Sequence, residues 1–168
     1  MGFCRLRSNI YLPMAAIILM AAFALAAAPQ KQVPFKGSMQ GHENDTPEGG
    51  PPPTTLSVDG NTTGIATHVG QSSYSYQLTV TLANGTATGS GHLIAANGDS
   101  LFTTIVGQGS PTDTPGVNRI VEVNTITGCT GRFSGAQGSF TVERLINLDT
   151  GFTSGSFQGT IASPGATH

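Results

Sequence analysis

Residues 73–99 read SYSYQLTVTLANGTATGSGHLIAANGD, and their pattern decides the fold. Tyr74, Tyr76, Leu78, Val80 and Leu82 alternate with Ser73, Ser75, Gln77, Thr79 and Thr81. A period of two with one apolar side marks a strand with one buried face. Burying five such side chains contributes roughly 1.5–3 kcal/mol each before chain entropy is subtracted. Asn84-Gly85 and Asn97-Gly98 punctuate the run. Asn-Gly between extended segments predicts a type I′ hairpin turn, which needs positive φ at both central residues. Strands over Ser73–Ala83, Thr86–Ala96 and Ser100–Gln108 therefore form a meander.

The same grammar extends outward. Upstream, Thr55–Val58 and Thr62–His68 flank Asp59-Gly60 as short strands, and Val33–Gln40 reads as an edge strand with Pro34 near its start. Glu43–Pro53 collects acid, glycine and four prolines, a composition that predicts a loop. Downstream, Val117–Thr127 places Val117, Val121 and Val123 on one face with Arg119 among them, and Ile120, Glu122, Asn124 and Ile126 on the other. Ser139–Leu148 alternates again through Phe140, Val142, Ile146 and Leu148, and Phe152–Ile161 follows a hairpin loop at Asp149-Thr150-Gly151. Between these strands, glycines at 128, 131, 135 and 138 predict a tight crossover that packs close to its neighbours.

About eight short strands, mostly joined by tight turns and without a soluble helix, fit either a two-sheet sandwich or a closed barrel. Sequential hairpins favour an all-β, up-and-down antiparallel barrel, since that order closes without Greek-key crossings. Gly89, Gly91, Gly155 and Gly159 inside strands each cost about 0.5–1 kcal/mol against alanine, tolerable where a sheet bends sharply.

Arg5 and Arg7 precede an apolar run from Ile10 to Ala28, and Ala24-Leu25-Ala26 has the small residues that a signal peptidase reads. The expected organisation is a signal peptide at 1–26, an N-terminal strand and Pro/Gly-rich loop at 27–53, and the barrel domain at 54–163. Removing Arg5 and Arg7 from the seven Lys and Arg leaves five against nine Asp and Glu, a net charge near −4. That balance excludes a basic nucleic-acid interface. The mature chain is expected to be secreted or periplasmic, with no membrane attachment after cleavage. Cys129 alone remains of the two cysteines, so no disulfide forms within the chain.

The segment Ile126-Thr-Gly-Cys-Thr-Gly-Arg-Phe-Ser-Gly-Ala-Gln-Gly-Ser-Phe140 resembles the Gly-Gly-Thr-Gly-x-Phe-x-x-Ala-x-Gly segment of allene oxide cyclase-like and dirigent-like barrels. Phe35-Lys36-Gly37, Ala66-Thr67-His68-Val69-Gly70 and Ala96-Asn97-Gly98-Asp99 are similar to motifs of small exported bacterial proteins with that barrel. The resemblance spans most of 33–161. It implies an eight-stranded barrel with a central cavity, which in the plant relatives holds an oxidised fatty acid or phenoxy intermediates. Gly128, Gly131, Phe133, Ala136 and Gly138 match the shared turn and strand start; Cys129 departs from it at the second glycine.

Candidate chemistry is sparse. His42, His68 and His92 lack the tight spacing of a metal site, so neither metal nor cofactor is expected. His68 continues the inward phase of Ala66 and is a candidate proton donor, weighed against a plain strand-end cap. Glu122 is the second candidate acid or base. Arg119 is read as an inward cation for an anionic head group, with Tyr74, Tyr76 and Phe140 lining the pocket; cross-strand surface pairing explains Arg119, Glu122, Glu143 and Arg144 more cheaply. Arg132 is assigned to turn carbonyls, and the glycosylation-type triplets at Asn44, Asn61 and Asn84 are read as chance. Three functions follow: a barrel binding a small apolar or amphipathic molecule, a cyclase or isomerase of the allene oxide cyclase or dirigent type, or a structural cell-surface protein with a filled interior. A homo-oligomer is compatible with each.

Overall fold

The two Asn-Gly pairs turn the chain as expected but by different geometry. In the computed structural model, which describes residues 31–162, Gly85 and Gly98 have φ of 68° and 87°, whereas neither Asn84 nor Asn97 has positive φ. Each asparagine instead caps its own turn. Asn84 Oδ1 accepts from the Thr86 amide at 3.1 Å, and Asn97 Oδ1 accepts from the Asp99 amide at 3.2 Å. Such side-chain turns let glycine alone take the left-handed position. The type I′ expectation is thus replaced by longer loops.

The strands are β1 (Val33–Glu48), β2 (Thr55–Ala66), β3 (Gly70–Thr81), β4 (Thr86–Ala95), β5 (Ser100–Pro111), β6 (Val117–Cys129), β7 (Gln137–Asn147) and β8 (Phe152–Ala162). They form a closed antiparallel barrel in chain order. β1 joins β8 with Val33 opposite Ile161 and His42 opposite Phe152. No helix among the described residues is long and apolar enough to cross a membrane.

Three expectations change here. The barrel begins at Val33 rather than Thr54, because β1 is one of its eight members. β1 also runs on through Glu43–Glu48, expected to be loop. Beyond His42 it pairs with β2 alone, so Pro47 sits on an edge, where a missing amide is tolerated. Likewise Thr55–Ala66 is one strand that continues through Asp59-Gly60.

The glycine-rich crossover is a β6–β7 hairpin connection holding one 3-10 turn at Gly131–Phe133. Gly131, Gly135 and Gly138 have positive φ; Gly128 does not. Its product is Phe133, fully buried at one end of the barrel. Arg132 donates to the Val69 carbonyl at 3.2 Å, tying this connection to the β2–β3 turn.

Inside, one end is solid. Phe35, Phe140 and Phe157 meet with ring centroids 5.2 Å apart pairwise, and Leu93, Leu101 and Ile161 are buried with them. Next come Tyr74 and Tyr76, laid across the interior with centroids 5.7 Å apart. Strand glycines make room for them: a Cβ on Gly60 would collide with the Tyr76 ring, and one on Gly91 with that of Tyr74. Glycine is thus used here for close approach as well as for bending. Gly60→Val should destabilise the barrel by about 1–3 kcal/mol through overpacking. The same change should cost clearly less in a Tyr76→Leu background; a denaturant double-mutant cycle measures the coupling.

Candidate functional site

Above the tyrosines the interior turns from apolar to ionic. The inward phase of β7 places Arg144 between Val142 and Ile146, and that of β6 places Glu122 between Ile120 and Asn124. Glu43 enters from β1. All three side chains are more than nine-tenths buried. Arg144 holds Glu122 in a two-pronged pair, Nη2 to Oε1 at 2.9 Å and Nε to Oε2 at 3.1 Å. Its Nη1 donates to Glu43 Oε2 at 2.7 Å and to Thr153 Oγ1 at 3.0 Å. Tyr76 Oη donates to the same Glu43 oxygen at 2.7 Å, and the guanidinium lies 5.0 Å from the Tyr76 ring centre.

This network is the floor of a cup. Leu56, Val58, Leu78, Val80, Ile120 and Ile146 wall a cavity of about 450 Å³, with Glu43, Glu122 and Arg144 beneath and Asp45 to one side. Such a volume and lining suit a small ligand. Deeper, the Tyr74 and Thr103 hydroxyls converge on Asn124 Oδ1, while Asn124 Nδ2 has no partner among the described residues.

Burial, with the nearby Asp45 charge adding to it, drives the Glu43 carboxyl above its ordinary 4.5; Arg144 and the Tyr76 hydroxyl pull the other way without cancelling it. For Arg144, burial opposes the charge, but its bonds and charge pairing with Glu122 prevail, so it stays protonated with a raised pKa. Burial likewise raises Tyr74 and Tyr76, which remain neutral phenols.

The predicted site residues are dispersed by this geometry. Glu122 is on the cup floor. Arg119 points outward, half exposed, and pairs with Glu143 at 2.8 Å. Its inward reading is corrected by the phase of β6, since Ile120, Glu122, Asn124 and Ile126 form the interior row. The surface pairing weighed against it forms for Arg119 and Glu143 only; Glu122 and Arg144, given the same surface reading, pair inside the barrel instead. Tyr74, Tyr76 and Phe140 are interior but fill the barrel instead of walling the cup.

His68 does not extend the inward row of β2, which ends at Ala66. It occupies the β2–β3 turn with φ of 64°, a left-handed conformation uncommon outside glycine. His42 packs edge-on against Phe152, and His92 stacks on Phe102 at 4.3 Å with its Nε2 unpartnered among the described residues. No group of three metal-binding side chains occurs among the described residues. Cys129 is a free, half-buried thiol beside the core. The signal-peptide reading of 1–26 lies outside the described residues.

Sequence reasoning missed Glu43 and Asp45, whose acid and proline-rich surroundings read as loop, and it placed Arg144 on the surface. No family model, curated protein or solved structure matches this chain.

Two outcomes follow from the buried ions. Arg144→Met leaves two carboxyls without a counter-charge and should cost about 3–5 kcal/mol in denaturant unfolding. For Glu43, a raised folded pKa means the native state keeps a proton that the unfolded chain releases above 4.5. Its contribution to stability is therefore full at acid pH and declines as pH rises through that window. Glu43→Gln should remove this decline, so the variant gains on the wild type as pH rises from 4.5; urea midpoints across pH measure it.

Proposed function

We propose that this chain is an exported barrel that binds a small amphipathic molecule in the cup, apolar body against the walls and polar end toward the Glu43–Arg144–Glu122 floor. The observation that carries the reading is the asymmetry of the interior. Phenylalanines fill one end, while the other leaves about 450 Å³ between aliphatic walls and a fixed ionic base. A protein needing only a rigid exterior has no reason to leave that half empty. The export part of the proposal rests on the N-terminal apolar run and the Ala-x-Ala ending. Kinship with allene oxide cyclase-like and dirigent-like barrels belongs to the same proposal and rests on the Gly-Arg-Phe connection of β6 and β7.

A second reading, a cyclase or isomerase working on such a molecule, is favoured by one detail. Glu43 lines the cup with its proton affinity raised by burial, as a general acid requires. Turnover lost in Glu43→Gln with ligand binding retained would separate enzyme from binder.

The chain contains no tryptophan. Leu82→Trp, at the exposed rim of the cup, therefore creates a single tryptophan there, excited apart from the three tyrosines. Its emission should shift to the blue when decanol is added. Adding Ala87→Phe, which puts a ring into the cup from β4, should weaken that response at least about tenfold while circular dichroism stays unchanged. A silent reporter up to the solubility of decanol would refute the binding reading.

A further inference from the structure

We infer that the cup selects molecules whose inner end donates hydrogen bonds or carries positive charge, a primary amine on an apolar chain being the type case. The inference rests on the binding reading above and adds the chemistry of the end that enters first. Two observations carry it.

The first is that the floor's guanidinium is already committed. Among the described residues Arg144 is the only cation lining the cup, and it makes four hydrogen bonds: two to Glu122, one to Glu43 and one to Thr153. A guanidinium has five N–H donors in all. An anionic head group would have to displace a buried carboxyl to reach it.

The second is a surplus of acceptors. Both hydrogen bonds to Glu43 fall on Oε2, from Tyr76 and Arg144, and none among the described residues falls on Oε1. This carboxyl is itself more than nine-tenths buried and lines the cup. Asp45, two residues along the same strand, lines it too. Among the described residues the charged groups on the cup's lining are thus Glu43, Asp45, Glu122 and Arg144, three carboxyls against one guanidinium. A donor or cation finds an unfilled acceptor there; a carboxylate finds like charge in a poorly hydrated space. Aliphatic walls above accept an alkyl chain without regard to its head, so the selection lies in the floor.

The test is calorimetric titration of the purified chain with decylamine, decanol and decanoate, which share one tail, at neutral pH and below their aggregation limits. Decylamine should bind about tenfold or more tighter than decanol, and decanoate weakest of the three. In Glu43→Gln the advantage of the amine should fall to about threefold or less. Asp45→Asn, an exposed position, should shrink it partially and keeps the test open if Glu43→Gln does not fold. Decanoate binding tightest, three equal affinities, or an amine preference untouched by both variants would overturn the head-group inference and leave cup binding standing. If no probe binds and the tryptophan reporter is silent, both readings fall together.

Discussion

The structure turns on a buried cation that must be neutralised from both sides. Arg144 reaches Glu122 on one neighbouring strand and Glu43 on a strand 101 residues earlier in the chain. Thr153 of β8 and Tyr76 of β3 complete the shell. Five of the eight strands thereby place a side chain in one polar knot. Removing charges from water costs several kcal/mol per ion, so the knot adds little net stability over an apolar core of equal shape. Its effect is on specification. Any register in which one strand slips by a residue turns its polar member outward and strands the others in a dry interior.

That knot also divides the interior into two different environments. Below it, three phenylalanines and two tyrosines fill the cross-section, with Gly60 and Gly91 yielding the space the tyrosine rings occupy. Above it, Leu56, Val58, Leu78, Val80 and Ile146 are too short to meet across the axis, and a cup remains. Rigid packing beneath and an interlocked ionic network at the boundary hold the base of that cup in one arrangement. Preorganisation of this kind lowers the ordering cost that a guest would otherwise impose.

Much of the architecture was legible in the chain. The alternation of Ser73–Leu82 and the Asn-Gly pairs predicted consecutive antiparallel strands, and those strands form. The chemistry was harder to read, for a physical reason. On β6 both faces look apolar from sequence: Val117, Val121 and Val123 on one, Ile120 and Ile126 on the other. Valine suits an exposed pleated surface as well as a core, and Val123 is about half exposed. The true inward row carries Glu122 and Asn124, which make sense inside only once partners from distant strands are known. Glu43 was hidden in the same way, since a carboxyl beside prolines reads as solvated loop until the far side of the barrel supplies an arginine. The Asn-Gly turns erred in detail because asparagine side chains satisfied the local amides and left the left-handed angle to glycine alone.

The pairing of β1 with β8 sets the order in which the molecule can be assembled. As a nascent chain lengthens, the first strand can recruit the second, yet its other flank has nothing to bond until Ile161 has been made and brought back to Val33. The seam is therefore stitched last, after the largest loop entropy in the molecule has been overcome. Until then Phe35 and Met39 face an unfinished wall and two open sheet margins invite foreign strands. For a chain synthesised from its amino end, the hazard lasts from the completion of the first strand to the arrival of the last.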